Sequence, residues 1–165
     1  DVTTTTGLGH VQKGHGVGFG DFDNDGDEDI FCVVGGAFEG DIFGDALFLN
    51  PIGNEKNWVT LVLEGTTSNR SAVGARVKIT AETETGNEMI LHRTVTTGGS
   101  FGSNSLQLET GLGDAVRIKS VIVKWPNRQQ SEEVFENIEI KRIVKLKEGN
   151  GKAEYLNRKT IAFPV

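Results

Sequence analysis

The chain has 165 residues, a length that suits one medium-sized domain or two small ones with a true hydrophobic core. Hydrophobic residues make up 36 % and charged residues 24 %, which excludes a disordered chain, and no apolar run reaches the roughly 18 residues of a membrane-spanning helix. The single cysteine, Cys32, excludes an intrachain disulfide and a zinc site built from several cysteines. A net charge of −6 argues against a protein that binds nucleic acid by neutralising phosphates.

The excess negative charge is confined to one short segment near the start of the chain. Six of the 23 acids lie between residues 21 and 29, and the remaining 17 equal the lysines and arginines in number. Carboxylates at this density repel one another unless a positive charge lies among them. The segment therefore favours a bound cation, and the alternative is a solvated acidic turn without metal.

The spacing of these acids is typical of a calcium loop. Calcium binds six to eight oxygen ligands, and a tightly turned loop with an acid at alternate positions can supply several of them. We predict the metal residues to be the five aspartates of this loop, with Gly26 making the sharp turn and one aspartate contributing its backbone carbonyl: Asp21, Asp23, Asp25, Asp27 and Asp29. Asp27 occupies the position of the carbonyl donor.

The same spacing opens an EF-hand, but the rest of that motif is missing. An EF-hand places a bidentate glutamate at the twelfth loop position, and the twelfth residue counted from Asp21 is Cys32. Its flanks also favour strands, because residues 16–20 alternate glycine with apolar side chains and residues 30–34 form an apolar, β-branched run. We predict a calcium loop between two strands, the second of them buried with Cys32 as a small hydrophobic residue.

Residues 16–30, continuing to residues 46–50, resemble an FG-GAP or VCBS repeat, the calcium-bearing blade unit of integrin-type β-propellers. The resemblance implies that Asp21, Asp23, Asp25 and Asp29 bind calcium through their side chains and Asp27 through its carbonyl. A propeller needs four to eight blades, and the sequence contains one copy of the motif. We therefore expect a C-terminal fragment of a larger FG-GAP protein, which the lack of an initiator methionine also favours.

The rest of the chain predicts further short strands and no helix. Residues 58–63 alternate, residues 75–95 form a hairpin around a turn at residues 85–87, and short strands follow near residues 106–108 and 121–125. Apolar stretches at residues 134–138 and 143–146 complete the pattern. Strands at this spacing indicate an all-β protein, with an antiparallel sandwich or small barrel after the blade-like unit.

This second part resembles the ASPIC/UnbV domain, which follows FG-GAP repeats in secreted proteins such as cartilage acidic protein. The resemblance extends over residues 57–147 and is carried by short motifs at residues 57–58, 65–70, 72–77, 98–101, 111–113 and 123–126. We predict three parts: a calcium-binding unit at 1–56, an ASPIC/UnbV-like β domain at 57–149 and a C-terminal tail at 150–165. The family implies an architecture and no settled activity.

The predicted function is a non-catalytic, calcium-binding module for binding or adhesion, extracellular or periplasmic. No nucleophile with its base and no zinc-protease motif is visible. We expect a protein or glycan partner, no nucleic acid and no membrane span, with self-association through exposed strand edges as a further mode.

The glycine motifs at residues 98–99 and 111–113 predict turns with positive φ, and the bases at residues 145–152 predict a solvated face.

Two alternatives come from other classes of protein. A carbohydrate-binding sandwich would present Trp58 or Trp125 on an exposed face, although strand positions favour the core for both rings. A calcium-dependent hydrolase would need a further acid, such as Glu109 or Asp114, to converge on the aspartate loop.

Overall fold

The computed structural model describes residues 1–9, 13–36, 38–99 and 101–163, so Ser100 of the glycine motif at residues 98–101 lies outside the described residues. The described part contains eleven strands, one 3-10 turn at Gly53–Glu55 and no α-helix. The strands are β1 (Gly14–Gly20), β2 (Asp29–Val34), β3 (Ala46–Phe48), β4 (Asn57–Glu64), β5 (Arg76–Thr83), β6 (Glu88–Thr94), β7 (Leu108–Gly113), β8 (Ala115–Lys124), β9 (Glu132–Phe135), β10 (Arg142–Lys147) and β11 (Ala153–Leu156). The all-β prediction is confirmed.

The first sheet is small and antiparallel, with the strand order β1-β2-β3. The aspartate-rich loop joins β1 to β2, and the pairing closes at Gly20 opposite Asp29. β3 pairs with the other edge of β2. The loop is therefore held at the end of a strand pair, between two strands as the sequence predicts.

The two larger sheets form a sandwich with one shared core. Their strand orders are β11-β10-β4-β7 and β6-β5-β8-β9, and one cluster of buried hydrophobic residues draws its members from both sheets. The cluster includes Leu61 of β4, Ile79 of β5, Val121 of β8 and Val144 of β10. Among the described strands there is no closed barrel, so the sandwich is the correct one of the two predicted architectures.

One pair of strands in the sandwich is parallel. β10 lies beside β4 in the same direction, with Val144 opposite Leu61, whereas the sequence predicts an antiparallel sandwich. The period-two pattern of each strand identifies its buried face but carries no information on the direction of its neighbour.

The hairpin of β5 and β6 is confirmed, with Gly86 at a φ of 82° in its turn.

The prediction of a buried second strand with a buried Cys32 is wrong. In β2, Val33 is 43 % exposed, and Cys32 is half-buried. The first sheet has only three strands, and alternate positions of β1 are glycines that offer no side chain for packing. The apolar run therefore lies in a thin sheet rather than a core.

The glycines of β1 have a steric role. A Cβ added at Gly16 would overlap the carbonyl oxygen of Phe101, and one added at Gly102 would overlap that of Val17. The loop at residues 101–103 of the sandwich thus lies against the backbone of β1, which joins the first sheet to the sandwich. Of the predicted turn glycines, Gly98 and Gly113 have positive φ, whereas Gly99 and Gly111 do not, and Gly111 lies inside β7.

The last part of the chain also takes part in the fold. β11 lies within the range 150–165 that the sequence assigns to a tail, and it pairs with β10 through Tyr155 opposite Val144. No helix of the described residues is long and apolar enough to cross a membrane.

Candidate metal centre

The aspartate loop is shaped by hydrogen bonds from its own backbone to its own carboxylates. The backbone N–H of Asp25 donates to Asp21 Oδ1 at 3.0 Å, and that of Gly26 donates to Asp21 Oδ2 at 3.1 Å. Asn24 and Gly26 have positive φ of 58° and 104°, which suits glycine and is tolerated by asparagine. These turns fold the acids inward.

Asp29 fixes the far end of the loop. It is 1 % exposed, and its two oxygens accept hydrogen bonds from different segments, the N–H of Asn50 at 2.8 Å and that of Phe22 at 3.0 Å. Asn50 follows β3, so one carboxylate connects the loop, the start of β2 and the segment after β3.

Three of the five predicted aspartates converge. Asp21, Asp23 and Asp29 each offer one carboxylate oxygen, and these three atoms all lie within 4.8 Å of one another. The side chains of Asp25 and Asp27 instead bind Asn54, whose side-chain amide donates to Asp25 Oδ2 and whose backbone N–H donates to Asp27 Oδ2. The structure therefore brings together three of the predicted side chains and directs the other two toward Asn54.

The loop carries negative charge that its surroundings do not neutralise. Burial, followed by the charge of Asp25, raises the pKa of Asp27 to about 6, and burial also raises the pKa values of Asp21 and Asp23. Asp27 is 7 % exposed, and its Oδ1 has no hydrogen-bond partner among the described residues. The converging oxygens of Asp21, Asp23 and Asp29, which have no ion pair among the described residues, are a donor set that fits a hard dication.

Two segments that the sequence does not place near the loop form hydrogen bonds with it. They are Asn54 and the C-terminal residues 159–161. The N–H of Ile161 donates to the carbonyl of Asp23 at 2.6 Å, and Asn24 Nδ2 donates to the carbonyl of Lys159 at 3.2 Å. A separation of about 135 residues leaves no local signal for this contact.

The structure places only some of the residues of the two alternative functions near the aspartate loop. Trp125 is fully buried, so it cannot form an exposed platform for a sugar, whereas Trp58 is half-buried with its indole edge against Gly26. Asp114 is exposed and paired with Lys56 at 2.9 Å. Glu109 faces the loop across a cleft, and burial, together with the charges of Glu28 and Asp21, raises its pKa to about 7.

A second carboxylate centre lies in the sandwich, at Glu148. Of the bases at residues 145–152 that the sequence predicts to be solvated, Lys147 and Lys152 are exposed, but Glu148 between them is 6 % exposed, which the sequence does not predict. Its Oε2 accepts hydrogen bonds from the consecutive N–H groups of Thr66, Thr67 and Ser68 at 2.8–2.9 Å, and Oε1 accepts from Ser68 Oγ and Asn127 Nδ2. The motif at residues 65–70 is thus part of a built anion site that an internal glutamate fills.

Comparisons with known proteins agree with the second of the two resemblances. The family model described as ASPIC and UnbV matches residues 65–153, which include both sides of the Glu148 centre. No curated protein and no solved structure shows significant similarity to this chain. Because the match covers more than half of the 165 residues, the chain belongs to the ASPIC and UnbV family.

Proposed function

We propose that residues 21–29 bind one calcium ion and that the chain is a non-catalytic binding module stabilised by this ion. The observation that supports the proposal best is the convergence of one carboxylate oxygen each from Asp21, Asp23 and Asp29 within 4.8 Å. Oxygen ligands of this kind suit calcium, and a bound dication would hold the crowded carboxylates in their ionised form.

The proposed ligands divide into two groups. Asp21, Asp23 and Asp29 would bind through carboxylate oxygens that already face one another. Asp25, through its side chain, and Asp27, through its carbonyl, complete the set proposed from the sequence, and the bonds of Asn54 to both side chains would hold these two residues in place. The ion would neutralise the cluster, fix the turn and hold β1 and β2 in register.

The first sheet also supports the proposed relation to an FG-GAP or VCBS blade. Its calcium-loop candidate joins two antiparallel strands, as the resemblance implies, and the sheet leaves apolar side chains in solvent. Val17, Phe19 and Val33 are each more than 40 % exposed. Such a surface suits a binding or adhesion module, and the partner would be a protein, a glycan or a second copy joined at a strand edge.

The proposed location is extracellular or periplasmic. Calcium modules outside the cell commonly bind with dissociation constants of about 0.1–1 mM, which extracellular calcium can saturate. An ion with this affinity stabilises a fold where calcium is abundant and is released where it is scarce, so its occupancy would depend on the compartment.

Calorimetric titration of metal-free protein with CaCl₂ tests the proposal. We expect one ion per chain, and we expect Asp29→Asn to weaken binding at least about tenfold, because it removes a charge from the converging group. Asp114→Asn removes an equal charge at an exposed position far along the chain and serves as the matched control. Absence of binding, or equal weakening by both variants, would contradict a calcium site at residues 21–29.

A further inference from the structure

A cleft of about 320 Å³ lies between the aspartate loop and the sandwich. The loop and the first sheet contribute one wall, and β4 and β7 contribute the other. The chemically active lining residues are three acids, one amide, one hydroxyl and one indole: Asp27, Glu28, Glu109, Asn50, Thr110 and Trp58. Its volume is at the lower end of the range for small-molecule sites.

The cleft is negatively charged and has no basic lining residue among the described residues. Burial raises the pKa of Glu28, and the charge of Arg93, which does not line the cleft, acts to lower it. A calcium ion at the loop would bring two positive charges against the four carboxylates of Asp21, Asp23, Asp25 and Asp29. The acids of the cleft would therefore remain uncompensated even when the proposed calcium site is full.

One acid that lines the cleft has an unpartnered carboxylate oxygen. Asp27 is 7 % exposed, its Oδ2 accepts the N–H of Asn54, and its Oδ1, which is itself buried, has no partner among the described residues. A buried carboxylate oxygen without a partner costs free energy comparable to a lost charge-assisted hydrogen bond. Glu109 on the opposite wall is half-buried, and burial, together with the charges of Glu28 and Asp21, raises its pKa.

We propose that this cleft binds an organic cation, an alkylammonium or guanidinium group, supplied by a small amine or by a lysine or arginine side chain of a partner. Carboxylates on both walls would accept its N–H groups, and the indole of Trp58 offers an aromatic surface of the kind that attracts cations. A neutral sugar fits less well, because the lining side chains provide mainly acceptors of hydrogen bonds. The inference goes beyond the proposed calcium site, since Glu109 and Trp58 lie outside the loop.

Nuclear magnetic resonance on calcium-saturated protein tests the proposal. The indole N–H signal of Trp58 is the reporter, and that of Trp125, which is fully buried and does not line the cleft, is the internal reference. We expect ethylguanidinium and n-butylammonium to shift the Trp58 signal saturably, with millimolar affinity, while n-butanol leaves it unchanged. A capped arginine peptide that binds as well as ethylguanidinium identifies a side chain of a partner as the source, and binding of the free cations alone identifies a small amine.

Substitutions of the acids that line the cleft test whether the organic cation binds there. We expect Glu109→Gln to weaken ethylguanidinium about tenfold and Glu84→Gln, an exposed position with the same charge change, to leave the affinity unchanged. Glu28→Gln provides a second variant of the cleft should Glu109→Gln impair folding. No saturable shift, an equal shift with n-butanol, displacement of the probe by millimolar magnesium, or unchanged affinity in both cleft variants would overturn the proposal. The calcium titration of Asp29→Asn is independent of these results, so either proposal can fail alone.

Discussion

At the scale of single residues, the Glu148 carboxylate shows how a buried charge is stabilised without a cation. Among the described residues it has no ion pair, and its partners are backbone N–H groups, one hydroxyl and one amide. Burial by itself would raise its pKa, but the hydrogen bonds from Ser68, Thr66 and Asn127 outweigh burial and lower the pKa to about 2. The charged form therefore ties the loop at residues 66–68 to the end of β10.

The substitution Glu148→Gln should destabilise the fold by about 2–4 kcal/mol. The amide keeps one acceptor oxygen but points an NH₂ group at donors, so buried N–H groups lose their partner. Chemical denaturation measures the change, with the exposed Glu136→Gln as control. If the two variants lose equal stability, the hydrogen bonds at Glu148 contribute nothing specific.

The same carboxylate predicts a pH dependence at the acid end. Its folded pKa of about 2 lies below the ordinary value of 4.5, so its contribution to stability is complete above pH 4.5 and declines as the pH falls toward 2. The stability difference between the unmodified protein and Glu148→Gln should therefore shrink between pH 5 and pH 2.5. Urea unfolding at several pH values measures this difference, and a constant difference across the range contradicts the assignment.

At the scale of elements, the glycines of β1 and the sandwich loop fit each other sterically. Gly102→Ala should disrupt the contact between the loop and β1, because its Cβ would overlap the carbonyl of Val17, a backbone atom that cannot rotate away. We expect a loss of about 1–3 kcal/mol, from overpacking. Faster hydrogen exchange in β1 with an unchanged sandwich core is the expected signature.

Gly111→Ala is the matched control for that change. Gly111 also lies in the sandwich, but it has open space around its Cβ position and no positive φ. This variant should leave exchange in β1 unchanged. Equal acceleration in both variants would show that the contact at Gly102 does not hold the first sheet.

The C-terminal segment should support the metal loop. Truncation after Asn157 removes the bonds that residues 159–161 make to Asp23 and Asn24. We expect calcium affinity to fall several-fold with the sandwich intact, since those bonds order the loop before the ion arrives. Truncation after Phe163, which keeps all three bonds, is the control in the same titration; an equal affinity in both truncations would contradict the expectation.

Much of the sandwich could be predicted from the sequence because its strands have strong local patterns. β5 and β6 alternate cleanly, and the turn before Glu88 contains Gly86, so the positions of these two strands follow from residues close in sequence. The parallel pairing of β10 with β4 and the exposure of β2 depend on which elements are neighbours in space. Alternation within one strand does not specify those neighbours.

The candidate site also combines residues that the sequence predicts with residues that it does not. The aspartates could be found because their spacing is local, and Asn50 already lay within the resemblance to a blade. The bonds from Asn54 and Ile161, and the position of Glu109 across the cleft, join segments far apart in the chain, and no short motif encodes them. The buried Glu148 was missed because its neighbours at residues 145–152 suggest a solvated face.

At the scale of the whole molecule, the net charge of −6 describes one region rather than the surface in general. The sandwich carries balanced charge over a continuous core, while the aspartate loop concentrates the excess between that core and the thin first sheet. A dication bound there would remove repulsion at the junction of the first sheet with the sandwich. Calcium should therefore stabilise the first sheet more than the sandwich.

Thermal unfolding with and without calcium tests the proposed site most directly. At calcium concentrations of one to ten times the dissociation constant, binding should add about 0.5–1.5 kcal/mol and raise the melting temperature by about 2–5 °C above the value in EDTA. Asp29→Asn should abolish this rise, and elemental analysis of protein equilibrated with calcium at these concentrations should find one calcium per chain. The same melting temperature in calcium and in EDTA, with no calcium bound at these concentrations, would contradict a calcium site at residues 21–29.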